Sequence, residues 1–270
     1  MRTIIAPTDF SEESLHAVNY AADLAQNAKA NLMLLHIVQM PVSFDAPLTQ
    51  YEYDSIMQNA EDDLEQLKKE LLIRIDNEVE ITTNVAFSTM AIEMADICEE
   101  RKPFMVVIGP GKNSLADRLM FGKHTFSVIK NLHYPVLVVP KNAAYKHIKR
   151  IGLATDFKDI YEVPAETIGF LLEMFGAKLD VIHICKSEAE KITSAPALSI
   201  LKERLKGLDV EFHVMLEDSI TSGLNNYLFE SKDDLLIVIP REYGFVESLV
   251  HQSQSNKMAI NPAVPVLALP

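Results

Sequence analysis

The sequence predicts an α/β protein built from two copies of an open doubly wound domain, each with a five-stranded parallel sheet. Three observations support this fold class. Apolar runs of strand length alternate with amphipathic helical patterns along the chain, which is typical of parallel sheets covered by helices. Several of these strands are apolar throughout, as expected for strands buried on both faces. The pattern also begins again after about half of the 270 residues.

The first copy is predicted to contain five strands separated by helices. Strands are expected over residues 3–8, 32–38, 81–85, 104–108 and 135–140. Helices are expected after Ser11, which is placed as an N-cap, along the leucine-rich stretch from Ile56, over 90–100, and around 126–130. Residues 40–55, which contain prolines and two tyrosines, are predicted to form a loop or lid.

An internal repeat defines the second copy. Thr8-Asp9-Phe10 returns as Thr155-Asp156-Phe157, and Leu35-His36-Ile37 returns as Ile182-His183-Ile184, in both cases 147 positions later. Pro135-Val136-Leu137 returns as Pro265-Val266-Leu267 near the end of the chain. A match of separate motifs at one offset indicates a duplicated domain. We therefore predict domains over 1–141 and 148–270, joined by the short polar stretch around 141–149.

Composition excludes several classes of function. The formal net charge of −13 argues against a nucleic-acid partner, because phosphate binding requires a basic surface. No apolar run is long enough for a membrane span, and the N-terminus lacks a signal-peptide pattern. The two cysteines, Cys98 and Cys185, lie in apolar surroundings and are predicted to be buried thiols in a reducing compartment. The sequence therefore predicts a cytoplasmic protein.

A ligand site is predicted where the strand order of the first copy reverses. Open doubly wound sheets bind ligands there, outside the carboxyl ends of the strands. The two strand ends are Thr8-Asp9 and Gly109-Pro110-Gly111. A carboxylate opposite a glycine turn suits a nucleotide, with the carboxylate toward sugar hydroxyls and backbone N–H groups toward phosphates. The alternative is that Asp9 only caps the next helix and Gly109 only turns the chain. No hydrolytic centre or metal site is indicated, so no enzyme is predicted.

Three segments carry a resemblance to a known family. They are residues 6–12 (APTDFSE), the strand end Leu35-His36-Ile37, and the glycine segment that leads to residues 135–139. In these segments the chain resembles the universal stress protein family, and because both halves are covered it resembles a tandem member. The resemblance implies an adenine nucleotide alpha hydrolase-like fold with strand order 3-2-1-4-5. It also implies a stress-response function in which ATP or another adenine nucleotide is a regulatory ligand.

The nucleotide-binding branch of that family has a signature of glycine, two residues, glycine, nine residues, glycine, then Ser or Thr. Aligned on Pro135, these four positions hold Gly109, Lys112, Gly122 and Lys123, so two depart from the pattern. The lysines either strengthen anion binding or are solvated residues on an exposed loop. The resemblance implies these cofactor-binding residues in the first copy: Pro7, Asp9, Ile37, Ile108, Gly109, Gly111, Lys112, Gly122, Lys123 and His124.

The second copy is predicted to have lost this site. Ile239 and Gln252 stand where the first copy has Gly109 and Gly122, so this copy is expected to act as a structural partner. The apolar fifth strands, at 136–139 and 266–269, are predicted to pair within the chain, because bare sheet edges are an aggregation liability. A homodimer is a further expectation. The alternative function is an interaction or scaffold module of the same family in which neither copy binds a nucleotide.

Overall fold

The structure is a computed structural model that describes residues 2–38, 49–110, 128, 132–157, 160–231, 233–240 and 264–270. The chain divides into two compact units, and the boundary falls between Lys141 and Asn142. In each unit, helices alternate with strands of a parallel sheet, so the predicted α/β fold class is confirmed. Among the helices that the structure describes, none combines the length and the apolar character that a bilayer crossing requires.

The first unit contains a parallel sheet with the strand order β3-β2-β1-β4-β5. Its strands are β1 (Thr3–Thr8), β2 (Asn31–Val38), β3 (Ile81–Phe87), β4 (Met105–Ile108) and β5 (Val136–Val138). The predicted order 3-2-1-4-5 is therefore confirmed. Because the central strand β1 is buried on both faces, it is apolar from Ile4 to Pro7.

Three helices of the first unit are described: α1 (Glu12–Ala28), α2 (Gln50–Arg74) and α3 (Met90–Arg101). Ser11 is the N-cap of α1, as predicted, and its hydroxyl accepts the backbone N–H of Ser14 at 3.3 Å. The predicted loop over 40–55 is wrong for its last residues, because α2 already begins at Gln50. Thr49 and Glu52 form a capping box that starts this helix. Of the helix predicted around 126–130, only Val128 is among the described residues.

The second unit repeats this architecture. Its strands are β6 (Arg150–Ala154), β7 (Lys178–Cys185), β8 (Val210–Leu216), β9 (Leu235–Val238) and β10 (Val266–Ala268). They pair in parallel in the order β8-β7-β6-β9-β10, which matches the first unit strand for strand. The described helices are α4 (Ala165–Phe175), α5 (Glu188–Arg204) and α6 (Ile220–Glu230).

The two units differ after their first strand. In the first unit, α1 starts four residues after Thr8, the last residue of β1. In the second unit, a 3₁₀ turn over Ile160–Glu162 comes first, and α4 starts only at Ala165. Pro164 explains the late start, because the residue before a proline is disfavoured in the α conformation and a helix cannot extend back through it. The α-helix therefore starts ten residues after Thr155 in the second unit, compared with four residues after Thr8 in the first.

Candidate functional site

The candidate site lies at the carboxyl ends of β1 and β4, which are neighbouring strands of the first sheet. Ile4 is in register with Met105 and Ile5 with Val106, so both strands deliver their ends to one edge. The strand order reverses here, with β2 on one side of β1 and β4 on the other. Of the predicted site residues, Pro7 and Ile108 are buried, Ile37 and Gly109 are half-buried, and Asp9 is exposed.

Asp9 is held in a fixed position at this edge. Its Oδ1 accepts hydrogen bonds from the Ser14 hydroxyl at 2.8 Å and from the backbone N–H of Ser11 at 3.0 Å. The Ser14 hydroxyl also lies 3.0 Å from the hydroxyl of Thr8. The carboxylate is thus both exposed and preorganised, which is what a polar contact to a ligand requires. Sequence reasoning missed Ser14, although its position three residues after the N-cap was a signal.

The turn that presents Asp9 depends on the two residues around it. Phe10 adopts a left-handed conformation with φ of 58°, and its N–H donates to the Thr8 hydroxyl at 3.0 Å. The Phe10 ring lies against the ring of His36, with centroids 4.8 Å apart. His36 Nδ1 lies 2.7 Å from the Thr8 carbonyl oxygen, and because a carbonyl can only accept, Nδ1 is the donor. His36 is therefore a structural imidazole that fixes the end of β1.

Gly109 has a packing role that the sequence did not reveal. A Cβ atom at this position would lie 2.8 Å from the carbonyl oxygen of Glu13 and 3.1 Å from its carbonyl carbon. Both are backbone atoms in the first turn of α1, which cannot move aside easily. Glycine is therefore required for the end of β4 to approach α1 this closely. Glu13 also forms an ion pair with Lys141 through its carboxylate.

The remaining predicted residues, Gly111, Lys112, Gly122, Lys123 and His124, lie outside the described residues. The structure brings Asp9, Gly109 and Ile108 to one edge of the sheet, with Ile37 at the end of the neighbouring strand β2. The assignment of these residues to a ligand stays a prediction.

The equivalent edge of the second unit keeps the turn of the first. Phe157 has φ of 59°, and its N–H donates to the Thr155 hydroxyl at 3.1 Å. His183 Nδ1 lies 2.9 Å from the Thr155 carbonyl oxygen, and its ring stacks on Phe157 with centroids 4.0 Å apart. Asp156 is half-buried, whereas Asp9 is exposed. Gln252 lies outside the described residues.

Together, the repeated sheets and their matching turns define a tandem pair of doubly wound α/β domains. The universal stress protein family model matches residues 1–140. A universal stress protein of Methanocaldococcus jannaschii is 30% identical over 141 residues, which cover 52% of this chain and 82% of that protein. The chain therefore belongs to the universal stress protein family, and the predicted resemblance is confirmed.

Similarity to solved structures extends over nearly the whole chain. A universal stress protein from Archaeoglobus fulgidus matches with a TM-score of 0.72 at 17% identity, covering 99% of this chain and 95% of that one. A functionally unknown protein from Pseudomonas aeruginosa matches with a TM-score of 0.60 at 12% identity, covering 100% of this chain and 92% of that one. At these identities, the similarity shows that the fold is shared.

Proposed function

We propose that this chain is a stress-response protein whose first unit binds an adenine nucleotide as a regulatory ligand. ATP is the first candidate. The site is the sheet edge formed by the ends of β1 and β4. The observation that carries the proposal is the preorganised, exposed carboxylate of Asp9, which stands at the reversal of strand order beside Gly109.

Each described group at this edge has a role in the proposal. The Asp9 carboxylate accepts hydrogen bonds from ribose hydroxyls, because an ionised carboxylate is an acceptor with fixed geometry here. Pro7 and Ile37 supply the apolar surface on which a base can lie. The glycine segment after Gly109 is assigned to the phosphates from its sequence, in which Lys112 and Lys123 add positive charge. The contributions of those lysines rest on the sequence alone.

The proposal does not include turnover of the nucleotide. Hydrolysis of ATP requires a group that orients water and a site for a metal ion. The sequence of the glycine segment offers no pair of carboxylates for these tasks. Purified protein should therefore hold the nucleotide unchanged over hours, as followed by chromatography of the released ligand.

A second candidate function is an interaction module that binds no nucleotide. It is favoured by the finding that structural roles within the fold are enough to explain two of the predicted site residues. Gly109 is required by its approach to Glu13, and Asp9 accepts the N–H of Ser11 as a capping residue would. In this alternative, the edge is a structural remnant and another surface binds a partner.

Isothermal titration with ATP, ADP and AMP distinguishes the two functions. We expect wild-type protein to bind at least one of them, and Asp9→Ala to weaken binding at least tenfold. Asp156→Ala is the matched control, because it removes the equivalent carboxylate from the second unit and should leave the affinity unchanged. Asp9→Asn removes the negative charge but keeps a side-chain oxygen that can accept from Ser14. This variant therefore distinguishes a loss of charge at the site from a loss of local structure. Absence of binding at millimolar nucleotide would favour the interaction module.

Pairing between the fifth strands, formation of a homodimer, the domain bounds and cytoplasmic location remain predictions. For the second unit we propose a structural role without nucleotide. The observation behind it is that Ile239 replaces the glycine that ends β4 in the first unit.

A further inference from the structure

A cluster of ionisable residues, two of which are buried, lies in the second sheet toward the amino ends of its strands, away from the end that corresponds to the candidate site. It comprises Arg150 on β6, Asp180 on β7, His213 on β8 and Asp233 just before β9, and we call it the acid cluster. Asp180 and Asp233 are both buried, at 0% and 5% exposure. Buried carboxylates are uncommon unless their charge is balanced, so the cluster requires an explanation.

Asp180 is fully paired. It accepts two hydrogen bonds from Arg150, with Nε to Oδ2 at 2.9 Å and Nη2 to Oδ1 at 2.8 Å. His213 Nε2 lies 3.1 Å from the same Oδ1. One guanidinium charge therefore balances one carboxylate charge, and the negative charge of Asp180 is satisfied within the cluster.

Asp233 is not paired in the same way. Both of its carboxylate oxygens are buried, and neither has a hydrogen-bond partner. The nearest cation is Arg150, whose Nε is 3.7 Å from Oδ1, beyond hydrogen-bonding distance. The same Nε lies 2.9 Å from Asp180 Oδ2, so the carboxyl groups of Asp233 and Asp180 are neighbours around one guanidinium nitrogen. Two carboxylates can form a hydrogen bond only when one of them carries a proton.

The backbone makes room for this arrangement. Asp180 is in register with Gly152, which lies in the middle strand β6 between β7 and β9. A Cβ on Gly152 would lie 2.8 Å from Asp233 Oδ2. Glycine is unfavourable inside a strand and marks a close approach. Here the absence of a side chain on Gly152 leaves space beside β6 for Asp233, which comes from the segment before β9.

The first unit has no counterpart to this cluster. The strand registers place Thr3, Met33, Asn84 and Pro103 at the positions of Arg150, Asp180, His213 and Asp233, and Ile5 at the position of Gly152. The same fold is therefore built without any of these charges. The acid cluster is a feature that only the second unit carries at this edge, and the fold does not require it.

We propose that the acid cluster is a proton-operated lock in the second unit. A proton between the carboxyl groups of Asp233 and Asp180 joins the segment before β9 to β7 across Gly152. Loss of that proton leaves two buried carboxylates beside one guanidinium, and the amino-terminal edge of the sheet loosens.

The direction of the pH dependence follows from the surroundings of Asp233. Burial, and then the neighbouring Asp180, raise the pKa of Asp233 from 3.8 to about 7, while Arg150 and then Ser231 act in the opposite sense. Between about pH 4 and 7, the folded unit holds a proton that the unfolded chain releases. This contribution to folding is therefore fully present below about pH 4, declines as the pH rises from 4 to 7, and is absent above 7.

Other ionisable and polar groups also lie close to the acid cluster. Glu211 Oε2 lies 3.6 Å from Arg150 Nη2 and 4.0 Å from His213 Nε2.

Tyr227 on α6 is buried near Asp233, and burial raises the pKa of its phenol, so the phenol stays neutral. Ser231 Oγ accepts the backbone N–H of Asp233 at 3.4 Å. Asp234 Oδ2 accepts the N–H of Lys149 at 2.8 Å and of Arg150 at 3.2 Å, and so holds the start of β6.

A metal ion fits the acid cluster less well than a proton does. Among the described residues, the potential ligand atoms of Asp180, Glu211 and His213 lie within 4.8 Å of one another. However, the guanidinium of Arg150 already bonds both oxygens of Asp180 and is close to Glu211. A cation would have to displace this positive charge, whereas a proton enters without moving it.

Carbon-13 NMR of the carboxyl groups in the full-length protein tests the lock directly. The protein is titrated from pH 4.5 to 8.5, and the Asp233 signal is assigned by its loss in Asp233→Asn. We expect a midpoint near 7, which corresponds to proton binding about a thousandfold tighter than for a free aspartate. A midpoint near 4 would overturn the proposal. If Asp233→Asn does not fold, through-bond assignment in the wild type gives the same answer.

Hydrogen exchange followed by mass spectrometry tests the structural consequence. After correction for intrinsic rates, peptides covering 148–154 and 231–238 should be better protected at pH 6 than at pH 8. Peptides covering β1 and β4 should not change. Asp233→Asn, which can donate to Asp180 at any pH, should remove the pH dependence. The control Asp209→Asn, an exposed carboxylate paired with Lys178 at 3.0 Å, should retain it.

Two outcomes of the exchange experiment would contradict the lock. One is equal protection of the wild-type peptides at pH 6 and pH 8. The other is protection at pH 8 that returns when Zn²⁺ is added, because this would make the cluster a metal site.

Discussion

Arg150 and Asp180 form a two-point ion pair in the second unit, and Arg74 and Asp23 form one of the same geometry in the first. Both arginines donate through Nε and Nη2, at 2.9 and 2.8 Å in one pair and 2.8 and 2.7 Å in the other. The pairs differ in burial, since the side chain of Asp180 is 1% exposed and that of Asp23 is 19% exposed. The chain thus contains a matched comparison of a buried and a more exposed ion pair.

Replacing the arginines should separate the two environments. Arg150→Leu leaves a buried carboxylate without its partner, so we expect a loss of about 3 kcal/mol in the free energy of unfolding of the second unit. Arg74→Leu should cost less than about 1 kcal/mol, because water solvates the released Asp23. Urea denaturation, with the transition of each unit followed separately, measures both values. Equal losses would show that burial of Asp180 does not determine the strength of its pair.

A glycine pair tests the packing role of Gly109. Gly109→Ala places a methyl group 2.8 Å from the Glu13 carbonyl oxygen and should destabilise the first unit by about 1–3 kcal/mol. Gly169→Ala in α4 is the control, because its Cβ would meet only side-chain atoms of Leu208, the nearest at 3.4 Å. Alanine is favoured over glycine in a helix by about 0.5–1 kcal/mol, so this variant should gain stability. Denaturant midpoints of both variants check these signs. Loss of stability in Gly169→Ala, or none in Gly109→Ala, would contradict the contacts described.

Two helices of the first unit have a threonine N-cap, but only one of the threonine side chains accepts a capping hydrogen bond. Thr49 accepts from Glu52 at the start of α2, whereas Thr89 makes no side-chain hydrogen bond at the start of α3. We expect Thr49→Ala to cost about 1 kcal/mol and Thr89→Ala to cost almost nothing. Thermal unfolding measures the costs, and hydrogen exchange of the first turn of α2 locates the loss. A large effect of Thr89→Ala alone would argue against the capping box.

The two cysteines should be unreactive in the folded protein. Cys98 and Cys185 are both 0% exposed, and burial raises the pKa of the Cys98 thiol to about 12 and also raises that of Cys185. At pH 8, only about one Cys98 thiol in ten thousand would be ionised, and the thiolate is the reactive form. A disulfide reagent should therefore modify neither residue until urea unfolds the chain. Rapid modification without urea would contradict their burial.

The fold could be predicted from the sequence because its signals are local. Apolar strands such as β1 and β4 stand out by composition, and the repeat of Thr8-Asp9-Phe10 at Thr155-Asp156-Phe157 fixed the second unit. The start of α2 was missed because prolines and tyrosines suggested a loop. The signal that overrides them is Thr49 followed three residues later by Glu52, which is a capping-box pattern.

The site could be predicted only in part, because its geometry depends on contacts between distant segments. Asp9 could be identified from its position after β1. The approach of Gly109 to Glu13 could not, because 96 positions separate the two residues. The acid cluster could not be predicted either, since its members lie far apart in sequence, on β6, on β7, on β8 and just before β9. An aspartate inside the apolar strand β7 was its only local sign.

The left-handed turn at Phe10 occurs again at Phe157, in a unit whose β9 is followed by Ile239 rather than by a glycine. The Thr-Asp-Phe tripeptide therefore reports how the chain leaves its first strand, with or without a ligand. A search for nucleotide-binding relatives that uses this tripeptide would also collect copies that lack the glycine after the fourth strand, as the second unit does. The residue that follows the fourth strand is the better discriminator, because that is where the two halves of this chain have diverged.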